Sequence, residues 1–128
     1  MAYSIMIVDD SETIRAVLER SLNMTRLSID KIMQAVNGKD AIEKLAESWI
    51  DIVFTDLHMP EMDGVELIDT MAAHPEYNDI PIVVISTEGS STRITELKKK
   101  GIKGYLRKPF TPEKLKETII NTLGDWNG

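Results

Sequence analysis

Ile52-Val53-Phe54-Thr55-Asp56 (residues 52–56) places an aspartate directly after a run that is apolar on both faces of an extended chain. A strand buried on both sides belongs in a parallel sheet covered by helices, because a sheet with one wet face shows alternation instead. Pro81-Ile82-Val83-Val84-Ile85 repeats the pattern, with Pro81 tolerated at the first strand position. It is the most apolar segment and reads as a central strand. Tyr3 to Val8 is a third such run, and it ends in Asp9-Asp10.

Between these runs the apolar spacing becomes helical. Ile14, Val17, Leu18 and Leu22 share one face after Ser11, an N-cap residue with Glu12 in the first turn. Ile29 to Val36 reads as a weaker strand, with Ile29, Ile32 and Met33 apolar. Asn37 then caps a helix expected to carry Ala41, Ile42, Leu45 and Trp49 inward. The next strand, read as Ile50 to Thr55, leads through a loop marked by Pro60 and Asp63-Gly64. A helix with Val65, Ile68, Met71 and Ala72 inward follows, and His74 to Ile80 reads as a loop.

Gly89-Ser90 opens a helix with Ile94 and Leu97 inward. Lys98-Lys99-Lys100 suits its negative end, and Gly101 its C′ position. Gly104-Tyr105-Leu106 is a short strand closed by Lys108-Pro109. Thr111 and Pro112 begin a last helix with Leu115, Ile119 and Leu123 inward, stopped by Gly124. Five strand–helix repeats give a mainly parallel sheet covered on both faces by right-handed crossovers. No linker divides them. One domain over residues 1–124 is expected, with a tail at 125–128 in which Trp126 either packs back or projects.

Composition narrows the chemistry. The chain has no cysteine and only His58 and His74, so thiolate and histidine-rich metal sites are excluded. Its net charge of -6 disfavours general attraction to nucleic acid or anionic lipid. No apolar run approaches the roughly 18 residues of a membrane span, and the start lacks the basic flank of a secretory signal. A cytoplasmic protein without membrane association is expected.

In a parallel α/β sheet, residues at the carboxyl ends of the strands meet at one crevice. Asp9, Asp10 and Asp56 fall there, and three close carboxylates repel one another unless something positive joins them. Asp9 and Asp10 are equally suited to turn or capping duty. Asp56 is less so, because Leu57-His58-Met59-Pro60 does not look like a helix start. Magnesium, an oxygen-seeking cation that keeps several waters, is the expected partner. Asp10 and Asp56 are the candidate direct ligands, Asp9 a ligand through water, and the His58 backbone carbonyl a further oxygen. Asp56 could then act as nucleophile toward an activated phosphoryl donor. Lys108 and Ser86, at two other strand ends, could neutralise or hydrogen-bond the transferring oxygens.

The ordered set Asp9-Asp10, Asp56 with Met59-Pro60 and Asp63-Gly64, Ser86, and Lys108-Pro109-Phe110 resembles the receiver domain of bacterial two-component signalling. The likeness runs from about Ile5 to Leu123 and is greatest to single-domain chemotaxis response regulators. It implies a doubly wound, flavodoxin-like sheet in strand order 2-1-3-4-5 and a Lys108-Pro109 peptide that is usually cis. It implies that Asp56 accepts a phosphoryl group from a histidine kinase while Asp9 and Asp10 hold magnesium, with Ser86 and Lys108 on the phosphoryl oxygens. Tyr105 matches an aromatic switch position coupled to Ser86. The protein would be no enzyme beyond its own phosphoryl transfer and autodephosphorylation.

The same resemblance assigns output to the surface of the fourth helix, last strand and last helix, where Lys99, Arg107 and Lys114 add positive charge. A protein target, and in some systems a phosphatase, would act on a chain expected to be monomeric or to dimerise on phosphorylation. His58 and Glu88, two residues beyond Asp56 and Ser86, are expected to tune phosphoryl lifetime. Thr87 departs from the Ala or Gly common in receivers and narrows access to the pocket. No appended module is recognised, which favours a stand-alone receiver.

Three rivals stand against this reading. A flavin binder of the same architecture would need an amide and hydroxyl cradle where Asp9-Asp10 stand. A magnesium phosphohydrolase would place its nucleophile after the first strand, with a second Asp two residues on. A degenerate receiver acting as a phosphorylation-independent binding module would not require all five site residues.

Overall fold

The computed structural model describes residues 2–87 and 90–124. Strands β1 (Tyr3–Val8), β2 (Ile29–Ala35), β3 (Ile52–Thr55), β4 (Ile82–Ser86) and β5 (Gly104–Arg107) alternate with five helices. These are α1 (Glu12–Met24), α2 (Gly38–Leu45), α3 (Gly64–Ala73), α4 (Ser91–Lys99) and α5 (Pro112–Leu123). All strand pairs are parallel, and the spatial order is β2-β1-β3-β4-β5. The architecture is the flavodoxin-like one expected.

Both faces of the sheet are dry. Met6, Val8, Val53 and Val84 pack on one side against Ala41 and Leu45 of α2, Leu67, Ile68 and Met71 of α3, and Leu97 of α4. Ile5, Ile7, Ile52, Phe54 and Val83 pack on the other against Leu18 and Leu22 of α1 and Leu115 and Ile119 of α5. Successive strand residues thus feed opposite cores, and the central strands read as continuous apolar runs for that reason. β2, at the edge, is mostly half-buried, which accounts for its weaker signal.

Each helix begins on a side-chain cap. Ser11, Asn37, Asp63, Ser90 and Thr111 accept from the backbone N–H groups of Ile14, Asp40, Glu66, Arg93 and Lys114. Asp63 and Glu66 complete a capping box at α3, so the Asp63-Gly64 pair is a helix start as well as a loop marker. Such caps contribute on the order of 1 kcal/mol each. Gly101 and Gly124 close α4 and α5 with φ of 104° and 86°.

Three inward assignments are corrected. Trp49 is 75% exposed, not core, because α2 stops at Leu45 and the four-residue helical spacing does not extend beyond it. Its indole Nε1 donates to Asp51 Oδ1 at 2.7 Å. Val17 is 47% exposed: the core stripe of α1 is the narrower Leu18–Leu22 line, flanked by half-buried Ile14. Ala72 is exposed, and Leu67 occupies the inward place on α3 instead.

The loop from β3 to α3 is pinned at close range. Gly64 N–H donates to Leu57 O at 2.9 Å, and Gly38 N–H to Met62 O at 2.9 Å. A Cβ at Gly64 would collide with the Asp56 carbonyl oxygen and stand 2.8 Å from Leu57 Cα. Backbone cannot yield as a flexible side chain would. Gly64→Ala is expected to cost about 2–3 kcal/mol in urea unfolding, an overpacking penalty, and to disturb the Asp56 amide resonance; Gly101→Ala, where the added Cβ meets no atom, should leave that resonance unmoved.

Candidate functional site

The parallel ladder does not stop at the strand ends. Val8 of β1 stands beside Thr55 of β3, and one step further Asp56 N–H donates to Val8 O at 3.0 Å. Asp9 N–H donates to Ala35 O, at the end of β2, at 3.1 Å. The two aspartates therefore leave the sheet from adjacent strands at nearly the same height. One carboxylate oxygen from each of Asp9, Asp10 and Asp56 lies within 4.8 Å of the others. The sequence expectation of a shared acidic crevice is met.

Lys108 enters from the other side. Its N–H donates to Ser86 O at 2.9 Å, continuing the β4–β5 ladder, and the Lys108-Pro109 peptide is cis. Its Nζ lies 3.6 Å from Asp9 Oδ2 and 3.9 Å from Asp56 Oδ1. Asp9 is only 3% exposed. Burial pushes its carboxyl above the usual range; the Ser11 N–H at 2.9 Å opposes this, Asp56 raises it, Lys108 lowers it and Asp10 raises it. One ammonium thus faces two carboxylates, of which Asp9 is penalised by its burial.

The donor set suits a small hard cation. Magnesium places its oxygens about 2.1 Å away, so its ligand atoms stand roughly 3 Å apart when adjacent and 4.2 Å when opposite. Carboxylates already within 4.8 Å need only a slight closing to reach that spacing. All are oxygens, and Asp10 is exposed, leaving room for waters.

Ser86 is the last residue of β4, 1% exposed, and joined to Lys108 through its own carbonyl. Thr87 is exposed and borders a depression of about 310 Å³ with Ile14, Val17, Lys108, Pro109 and Phe110. His58 lies exposed on the loop after Asp56. Tyr105 is half-buried on β5, packed against the core that contains Leu97. With Ile94, Arg107, Phe110 and Lys114 it borders an open depression of about 500 Å³ between α4, β5 and α5. Glu88 and Trp126 lie outside the described residues.

Arg15 was not anticipated. Its Nη1 donates to the Asp9 carbonyl at 2.7 Å and its Nε to Gln34 Oε1 at 3.0 Å. The available signal was spacing: on the helix starting after Ser11, position 15 turns a polar side chain back toward the Asp9-Asp10 turn. A basic residue beside the apolar stripe reads by default as solvated surface.

Among the described residues no helix is long and apolar enough to cross a membrane. The chain is 37% identical to the chemotaxis protein CheY homolog of Campylobacter jejuni over 97% of its own length and 95% of that protein's. Among solved structures it resembles the chemotaxis response regulator CheY4 of Vibrio cholerae, with TM-score 0.84, 30% identity, and coverage of 96% of this chain and all of the other. It also resembles the CheX–CheY–BeF3–Mg complex of Borrelia burgdorferi, with TM-score 0.81, 25% identity, and coverage of 92% and 87%. The response regulator receiver domain pattern matches residues 5–120. With the order of its strands and the acidic crevice at their ends, this makes the chain a member of the response regulator receiver family.

Proposed function

We propose that the chain is a phosphorylation-activated signalling switch whose phosphoacceptor is Asp56. The observation that carries the reading is the convergence of Asp9, Asp10 and Asp56 with the Lys108 ammonium held between two of them. A carboxylate oxygen of Asp56 attacks the phosphorus of a kinase phosphohistidine, the P–N bond breaks, and the imidazole leaves with the bonding pair. The product is an acyl phosphate on Asp56. Asp9, Asp10, Asp56 and the His58 carbonyl would hold Mg²⁺, which when bound neutralises charge on the phosphoryl oxygens. Lys108 and the Ser86 hydroxyl supply the remaining contacts.

Release of the signal is hydrolysis of the acyl phosphate by water. Exposed His58 overlooks its approach, with Thr87 and Glu88 flanking Ser86 in sequence. The switch runs from Ser86 to Tyr105, and the α4–β5–α5 depression with Arg107 and Lys114 is the surface for a protein target. A cytoplasmic chain working in chemotaxis, monomeric until phosphorylated and served by a histidine kinase, fits the relatives it resembles. The domain would end with α5 at residue 124, leaving 125–128 as a tail.

Beryllofluoride mimics the phosphoryl group and tests the whole reading. Added with Mg²⁺, it should shift the amide resonances of Asp56, Ser86, Tyr105 and Lys108, and Asp56→Asn should remove those shifts. Shifts that persist in the variant would remove Asp56 from the chemistry.

The charge on Asp9 gives a second prediction. Because its carboxyl titrates above its unfolded value, the ionised form costs stability at neutral pH, and the cost fades as acid protonates it. In EDTA at pH 7, Asp9→Asn should be more stable than wild type by on the order of 1 kcal/mol. That gap should narrow toward pH 4. Magnesium should raise the melting temperature of wild type more than that of the variant.

For His58, replacement by Ala should change the first-order decay of phosphorylated protein severalfold. Decay curves that superimpose would leave His58 without a part in hydrolysis.

A further inference from the structure

Asp10 is the exposed member of the acidic triad, and among the described residues its carboxylate makes no hydrogen bond or ion pair that would aim it. Besides its ion pair with Lys108, Asp9 is tied by three hydrogen bonds: its N–H to Ala35 O at 3.1 Å, its Oδ1 to Ser11 N–H at 2.9 Å, and its carbonyl to Arg15 Nη1 at 2.7 Å. The third tie matters most for Asp10. The Asp9 carbonyl belongs to the rigid plane of the Asp9–Asp10 peptide, and the tilt of that plane sets the direction in which Asp10 leaves the backbone.

Arg15 is itself held. Its Nε donates to Gln34 Oε1 at 3.0 Å, and Gln34 Nε2 donates to Glu19 Oε2 at 3.2 Å. Glu19 lies one turn beyond Arg15 on α1, so the amide of Gln34 on β2 spans two charged residues of one helix face. Three elements, β1, α1 and β2, thereby converge on one carbonyl.

We infer that Arg15, oriented by Gln34 and Glu19, is a positioning residue that aims Asp10 at the metal by fixing the Asp9–Asp10 peptide plane. The inference rests on the magnesium reading above and adds a residue to it. A purely electrostatic account makes the opposite prediction, since a guanidinium near a dication repels it. The two are separable by sign. If charge dominates, losing Arg15 tightens magnesium binding and Lys substitutes fully. If aim dominates, losing Arg15 weakens binding, and Lys, which keeps the charge but lacks the planar fork, fails to replace it.

The test is Mg²⁺ titration of the full chain, followed by amide shifts of Asp9, Asp10 and Asp56. Arg15→Gln and Arg15→Lys should each weaken binding by about tenfold or more, the usual scale for groups that orient ligands. Gln34→Met, uncharged and remote from the ion, should weaken it severalfold and serves if the Arg15 variants fold poorly. In an Asp10→Asn background, Arg15→Gln should change affinity less than twofold, because its target is gone. A merely structural role would instead lower affinity by the same factor in both backgrounds. Unchanged or tighter binding in Arg15→Gln, or wild-type affinity in Arg15→Lys, overturns the inference. Failure of wild type to bind Mg²⁺ would instead overturn the site reading on which it rests.

Discussion

Repulsion among Asp9, Asp10 and Asp56 is the constraint around which the rest of the molecule is arranged. Carboxylates with oxygens within 4.8 Å of one another oppose the compact state, more strongly where burial removes water. Nothing local to any one of them enforces the meeting. It is enforced by the sheet, whose ladder runs on past the strand ends through Asp56 N–H to Val8 O and Asp9 N–H to Ala35 O. Two cores of Ile, Leu, Val, Met and Phe hold that sheet flat-packed from both sides. Burying a single such side chain contributes about 1.5–3 kcal/mol, so a few of them outweigh the electrostatic strain at the crevice. The strain is concentrated where a cation would relieve it.

The fold was legible because its signals are period and punctuation. Strands buried on both faces leave runs such as Pro81–Ile85, and each helix opens on a Ser, Asn, Asp or Thr whose side chain reaches back to the backbone. Where reading failed, the helix ended sooner or turned differently than spacing implies. Trp49 continues the Ala41–Leu45 spacing in sequence but not in space, since α2 has already stopped. Val17 and Ala72 are apolar neighbours of buried residues, and adjacency on a helix is not alignment.

Within the site, the legible residues were those that must be of one chemical type at one place. Acidic groups after strands, and a lysine after the last one, have few alternative explanations when taken together. Arg15 escaped because its role lies in a backbone carbonyl. No side-chain pattern announces that a main-chain oxygen six residues back needs a donor, nor that Gln34 across a strand will orient it. Distances between Ser86 and the crevice likewise follow from how β4 and β5 register, which the sequence does not display.

The same geometry suggests how charge at one end of the sheet could move a helix on its flank. In the proposed function, phosphorylation brings new anionic oxygens to Asp56, and Lys108 then divides its attraction among Asp9, Asp56 and the phosphoryl group. Lys108 N–H is bonded to Ser86 O, so a shift of one draws on the other, and Ser86 precedes α4 in sequence. Of the five helices α4 has the fewest fully buried residues, Leu97 alone against four on α3. Besides the packing of Leu97, a surface pair of Lys100 with Asp69 of α3 at 3.1 Å adds about 0–1 kcal/mol. Both anchors sit near its C-terminal end. In the proposed function the sparsely buried α4 is therefore the helix that moves at least cost. Tyr105 packs against the core that contains Leu97 and borders the depression beside Ile94, so in the proposed function a shift of α4 would reach it. A switch built this way needs no soft core; it needs one helix less buried than its neighbours.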